Sequence, residues 1–328
     1  MTSTTQPMAG NNQQVSPRGL RIYTKIVAAS TVFLIFAGAM VTSTGSGLAV
    51  PDWPLSYGML FPPMVGGIFY EHGHRMVAAT VGFLTIIQAV WLQLREPKLW
   101  LRKMGWAALA AVIAQGLLGG LTVIYFLPPA ISVAHAALAE LFLCTSIAIA
   151  FFTSKLFSRL AGGGAEFEPS RVSKLAVILP IVTFVQVLLG AVMRHLQAGL
   201  AIPDFPLSFG KMIPAFTSFA IVINYAHRTW AFVVAAIAIT LAVRLFSRRN
   251  APPSRLLGSS IVVLVLVQIT LGAWTVWSGK QPHITSLHVM TGATFLALTV
   301  LTALVEQTRT RAGRPDASVM LSGQAVTA

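Results

Sequence analysis

Stretches of about 20 apolar residues, separated by short polar or proline-rich breaks, recur eight times along this chain. They predict helices near 22–43, 70–94, 104–126, 132–153, 173–194, 218–246, 256–277 and 284–305. Each is long enough to cross a hydrocarbon layer of about 30 Å. Four fall in each half, and an even number per half makes any repeat between the halves parallel rather than inverted. Residues 161–170 (Ala-Gly-Gly-Gly-Ala-Glu-Phe-Glu-Pro-Ser) predict a flexible linker between them. The first 17 residues are polar and hold no Lys or Arg, which fits neither a cleaved secretory signal nor an Arg-rich transit peptide. From about Thr308 the chain turns polar again. The expected organisation is a disordered tail at 1–20, an N-terminal four-helix bundle at 21–156, a linker at 157–172, a C-terminal four-helix bundle at 173–306 and a second tail at 307–328.

Composition agrees with this pattern. With 328 residues, 55% apolar and 10% charged, and a mean hydropathy of +0.74, the chain is too apolar for a soluble protein and too long for one span, so it is a polytopic all-α membrane protein. The net charge of +14 raises the question of a nucleic-acid partner, and its distribution answers it. Arg18, Arg21 and Lys25 precede the first helix, and Arg95, Lys98, Arg102 and Lys103 separate the second from the third. Lys155, Arg159, Arg171 and Lys174 lie between the fourth and fifth, and Arg244, Arg248, Arg249 and Arg255 between the sixth and seventh; Arg309, Arg311 and Arg314 follow the eighth. That puts 18 of the 23 basic residues on one side, against Lys211, Lys280, Arg75, Arg194 and Arg228 on the other. The positive-inside rule then places both tails and the linker in the cytoplasm. The charge reports topology, with membrane lipids and not nucleic acid as its partners, and a bacterial plasma membrane is the simplest location. Cys144 is the sole cysteine, so no intramolecular disulfide exists, and its apolar helix predicts an inert thiol.

The two halves are copies. Gly47-Leu48-Ala49-Val50-Pro51-Asp52-Trp53-Pro54-Leu55-Ser56-Tyr57-Gly58 returns as Gly199-Leu200-Ala201-Ile202-Pro203-Asp204-Phe205-Pro206-Leu207-Ser208-Phe209-Gly210, and Gln115 to Val123 returns as Gln268 to Val276. His74 and His135 lie 61 residues apart, as do His227 and His288. One exchange stands out: Glu71, three residues before His74, is Asn224 in the second copy. Topology puts all four histidines within about two turns of the outer boundary, and an ionisable side chain at that depth is a functional candidate. Two imidazoles from facing helices of one bundle suit axial ligation of a haem. Hydrogen bonding across helix interfaces is the plainer alternative for any one of them. Zinc fits poorly, because no cysteine or second carboxylate stands at ligand spacing. His72, His195 and His283 have no repeat partner and read as interfacial.

These residues resemble the haem A synthase family. The resemblance covers about residues 20–305 and rests on Glu71-x-x-His74-Arg75, the loop Pro51-Asp52-Trp53-Pro54-Leu55, Ile131-Ser132-x-x-His135 and the second pair His227 and His288. It implies two pseudo-symmetric parallel four-helix bundles in a membrane oxidoreductase that turns the ring methyl of haem O into the formyl group of haem A by successive hydroxylations. It also implies a low-spin haem b between His227 and His288, with the haem O substrate near His74 and His135, and it points to haem O synthase and cytochrome oxidase assembly factors as partners. Some members carry a cysteine pair in the first outer loop; this chain has Ser56 there.

The residues themselves add roles. Glu71 shares the His74 face one turn outward, where a carboxylate serves as a base or as a stabiliser of positive charge developing beside a porphyrin, or simply complements the helix dipole. Asn224 keeps its size but cannot take a proton, which assigns chemistry to the first half. Arg75 and Arg228 either pair with haem propionates or snorkel to the interface. The outer loops at 45–66 and 197–216, with Trp53, Tyr57, Phe205 and Phe209, read as lids over each site or as an aromatic belt. Two rival functions share the same histidines: a bis-histidine membrane cytochrome b that only relays electrons, and a haem transporter or chaperone.

Overall fold

The computed structural model describes residues 15–162, 171–247 and 252–312. Most of the tail and linker segments, with Arg248, Arg249 and Arg314, lie outside them. Among the described residues the fold is all-α, with α1 Arg18–Ser43, α2 Gly67–Arg95, α3 Leu99–Ile124, α4 Pro129–Phe152, α5 Lys155–Ala161, α6 Arg171–His195, α7 Phe219–Phe246, α8 Pro252–Trp277 and α9 Pro282–Ala312. Eight of these are long and apolar enough to cross a membrane, so the protein is multi-pass.

The observed helices outrun the predicted ones at their basic ends. α1 starts at Arg18 rather than 22, α3 at Leu99 rather than 104, and α9 continues to Ala312 rather than 305. Long basic side chains let a helix continue past its apolar stretch while their charges reach water, so hydropathy marks the spanning core and not the helix end. The short α5 is a correction to the expected linker, whose first residues are helical. Ser154 caps it by accepting from the backbone N–H of Phe157 at 3.1 Å. Phe157 packs edge-on against Phe151 and Phe152, which explains how seven residues hold a helix without apolar length.

α1 packs on α2, α2 on α3, α3 on α4 and α4 back on α1, closing one four-helix ring; α6, α7, α8 and α9 close a second in the same way. α1 and α4 meet α9, and α4 meets α6, so the rings share a seam. The main apolar clusters of each ring lie between mid-helix and the basic ends, while Met40, Val41, Val50, Val123 and Ile223 are buried nearer the opposite ends. Leu20, Val81, Leu92, Leu101, Phe142 and Ile149 fill the first, and Leu179, Ala238, Leu241, Leu245 and Ile261 belong to the filling of the second. Among the largest fully enclosed side chains of the described residues, only Ile202 lies on the opposite side. The outward faces carry Phe33, Phe83, Leu94, Phe232 and Leu256, which a lipid solvent makes favourable.

Candidate functional site

Both loops on the histidine side are built by one device. Asp52 accepts the backbone N–H groups of Tyr57 at 2.6 Å and Gly58 at 2.8 Å; Asp204 accepts those of Phe209 at 2.7 Å and Gly210 at 2.8 Å. Tyr57 and Gly58 have φ of 54° and 70°, Phe209 and Gly210 of 55° and 71°. The carboxylate thus steadies a left-handed turn that a non-glycine residue adopts at a cost. Arg75 clamps the first loop from α2, Nη1 donating to the carbonyls of Asp52 at 2.7 Å and Leu55 at 2.8 Å and Nη2 to Val50 at 3.2 Å. Arg228 does the same from α7 to Asp204 at 2.7 Å, Leu207 at 3.2 Å and Ile202 at 2.8 Å. A planar guanidinium fork suits several carbonyls at once. In the structure Arg75 and Arg228 thus each tie an outer loop to the helix that follows it.

The N–H groups of Gly58 and Tyr57 hold Asp52 below its ordinary pKa of 3.8, with a smaller attraction from Arg75. Gly210 and Phe209 do the same for Asp204, helped by Arg228. A carboxylate lowered in the folded state contributes its full stabilisation above the unfolded pKa and loses it as pH falls through the folded one. Both loops are expected to stay closed across the neutral range and to loosen only below about pH 4, seen as accelerated limited proteolysis between α1 and α2 and between α6 and α7. Loosening already near pH 6 would contradict this account.

Each of the four repeated histidines lies six to eight residues inside its helix, and each is half-buried in a ring whose other half is closed by apolar side chains. Each also leans on a glycine of the neighbouring helix. A Cβ on Gly38 would come within 3.0 Å of His74 Cε1, on Gly119 within 3.2 Å of His135, on Gly190 within 3.0 Å of His227 and on Gly272 within 3.1 Å of His288. A side chain at any of these positions would push the imidazole aside, so the glycines fix where the rings stand. The His227 and His288 rings face one another across the second bundle, centroids 6.5 Å apart and planes at 78°. The Nδ1 atoms of His74, His135 and His288 are enclosed without a hydrogen-bond partner. Glutamines stand behind three of the four: Gln115 Nε2 donates to the carbonyl of His135 at 2.9 Å and Gln186 Nε2 to that of His227 at 3.0 Å. A Cβ on Gly292, one turn from His288, would meet Gln268 Nε2 at 3.0 Å.

Glu71 and Asn224 occupy matching places with opposite polarity. The Glu71 carboxylate, 3% exposed, accepts the Val50 N–H at 2.7 Å through Oε2 and Arg75 Nη2 at 2.7 Å through Oε1. Asn224, 1% exposed, instead donates Nδ2 to the loop carbonyls of Ala198 at 2.8 Å and Gly199 at 3.1 Å. Each fastens its loop, but only the first brings a carboxylate.

His72 corrects the expectation of an interfacial residue. It is buried, with Nδ1 2.8 Å from Ser56 Oγ, because the lid folds over the start of α2. His283 is exposed and His195 half-buried at the end of α6. Sequence reasoning passed over Glu140 and Gln88, both buried with unpartnered polar atoms. A polar residue in the middle of an apolar run was the available signal.

The fold and these contacts define a class: a multi-pass helical membrane protein that brings a glycine-backed imidazole pair into each of two four-helix rings, under clamped loops. The chain belongs to the cytochrome oxidase assembly protein family, whose model matches residues 65–301. It is 28% identical to the heme A synthase of Halalkalibacterium halodurans over 83% of this chain and 92% of that one. It is 26% identical to the heme A synthase of Sphingopyxis alaskensis over 89% and 94%, and 30% identical to that of Symbiobacterium thermophilum over 70% and 75%.

Proposed function

We propose that this protein is a haem A synthase of the bacterial plasma membrane, oxidising the ring methyl of haem O to the formyl group of haem A. The observation that carries the reading is the pair of imidazoles that each ring contains, every one of them backed by a glycine of a neighbouring helix. Membership of the family and the names of its relatives agree with it.

The residues present fit a haem. The His227 and His288 ring centroids stand 6.5 Å apart, and an imidazole from each of two helices would serve as a ligand to its iron. When bound there, haem b supplies one-electron transfer. His227 and His288 would hold it, with Gln186 fixing the backbone behind His227. His74 and His135 would hold the haem O substrate in the first ring. Glu71, aimed by Val50 and Arg75, is the candidate catalytic carboxylate: it holds fixed negative charge where methyl oxidation develops positive charge and releases protons. Each of two successive hydroxylations takes two electrons and two protons from the methyl group to an electron acceptor outside this chain, and loss of water from the resulting gem-diol leaves the formyl group. An electron relay needs only the second ring, and it gives no reason for a carboxylate in the first ring alone.

The test is expression in a cell that makes haem O but lacks its own synthase, followed by chromatography of extracted haems. Haem A should appear, and its absence with the protein folded in the membrane would reject the reading. The basic residues orient the chain with both termini cytoplasmic. A reporter fused after Ala328 is expected to be active only if it works in the cytoplasm, and activity of a periplasm-dependent reporter would reverse the orientation. A haem O synthase and oxidase assembly factors are the partners this activity calls for.

A further inference from the structure

Arg194, in the last turn of α6, stands at the seam between the two rings. Its Nη2 donates to the carbonyl of Ala39 on α1 at 2.6 Å and to Ser43 Oγ at 2.8 Å, and Ser43 in turn accepts from Ser286 on α9 at 2.9 Å. Its Nη1 is enclosed and has no partner. Both groups that Arg194 does bond are neutral, and a buried cation without a counter-charge is strongly unfavourable in a membrane interior. The second copy also supplies this residue alone: where Arg194 stands, the first copy has Thr42.

Its position touches both candidate sites. Ala39 follows Gly38, the glycine that backs His74. Ser286, which bonds Ser43 beside Arg194, is two residues before His288. The lid arginines Arg75 and Arg228 are engaged with loop carbonyls, whereas Arg194 keeps a donor free between the rings. The only anions that a porphyrin carries at its rim are its propionate carboxylates, and a guanidinium nitrogen with a spare N–H is their complement.

We propose that Nη1 of Arg194 binds a porphyrin carboxylate at the seam, making Arg194 a positioning residue for a haem propionate. This rests on the haem-binding reading of the two histidine pairs. The shared chemistry is a carboxylate, and its source is the haem of either the second ring or the first.

The purified full-length protein, stripped of pigment in detergent, is titrated with hemin and with hemin dimethyl ester, which has no carboxylate. Wild type should prefer hemin by roughly ten- to a hundredfold, the range of one charge-assisted hydrogen bond. Arg194→Gln should lose most of that preference, while Thr240→Ala, exposed on α7 away from the seam, should keep it. Repeating the pair of titrations in His74→Ala and in His227→Ala locates the source. Loss of preference on adding Arg194→Gln to His74→Ala assigns the carboxylate to the second-ring haem, and loss in the other background assigns it to the first. Loss in neither overturns the proposal. So does equal binding of hemin and ester by wild type, whether or not Arg194→Gln folds. A wild-type chain that takes up neither porphyrin rejects the haem-binding reading itself.

Discussion

His227→Ala and His288→Ala will each purify without the low-spin haem spectrum, while His74→Ala will keep most of it. The two second-ring imidazoles stand 6.5 Å apart, and each packs against a glycine, Gly190 or Gly272, where an added side chain would crowd it. If both imidazoles hold a haem iron as proposed, removing either one would leave it a single protein nitrogen. Loss of an outer-shell partner alone typically weakens a metal site by about 10- to 100-fold, so loss of the ligand should exceed that and strip the haem during purification. His74 lies in the other ring, against Gly38, and its loss should affect substrate retention instead. The measurement is the reduced-minus-oxidised spectrum per mole of folded protein. Haem lost from His74→Ala but retained in His227→Ala would exchange the roles of the two rings.

The second large effect is expected at Glu71. Glu71→Gln should assemble with its haem yet fail to accumulate haem A, with haem O or a hydroxylated intermediate dominating the extracts. Loss of a positioned general base typically lowers a rate by about a hundred- to ten-thousand-fold. The geometry sharpens the test, because both carboxylate oxygens already accept from donors, Val50 N–H and Arg75. A glutamine keeps one acceptor and turns an amide NH2 toward the other donor, so the lid could open as well. Hydrogen exchange of the loop at 45–66 separates the two: haem A lost with loop protection intact assigns the effect to charge beside the porphyrin. Asn224→Asp is the contrasting variant. It sets carboxylate oxygens against the carbonyls of Ala198 and Gly199, so it should loosen the second loop by about 1–3 kcal/mol without blocking methyl oxidation. Normal haem A production by Glu71→Gln would leave Glu71 as a loop anchor only.

Much of this was legible in the chain because membrane physics leaves few choices. Eight apolar stretches must become eight helices, since no other open structure satisfies its backbone in lipid. The histidine spacing exposed the candidate ligands because a duplication repeats function together with fold. The Glu71 and Asn224 exchange was equally visible, as was their place one turn from the imidazoles.

The partners of those residues were not legible. Arg75 and Arg228 follow the histidines in sequence and were natural candidates for propionates. Only the folded loops show carbonyls converging on both guanidinium groups. His72 and Ser56 are 16 residues apart and meet because the lid folds back over α2. Arg194 looked like one more helix-end charge until α1 and α9 closed around it. The sequence by itself determined which segments are apolar enough to cross a membrane and which residues recur in both halves, because hydropathy and repetition are properties of the linear chain. The tertiary structure decided which polar groups are already satisfied and which remain free for a ligand, because hydrogen bonds and close packing depend on segments that only the folded rings bring together.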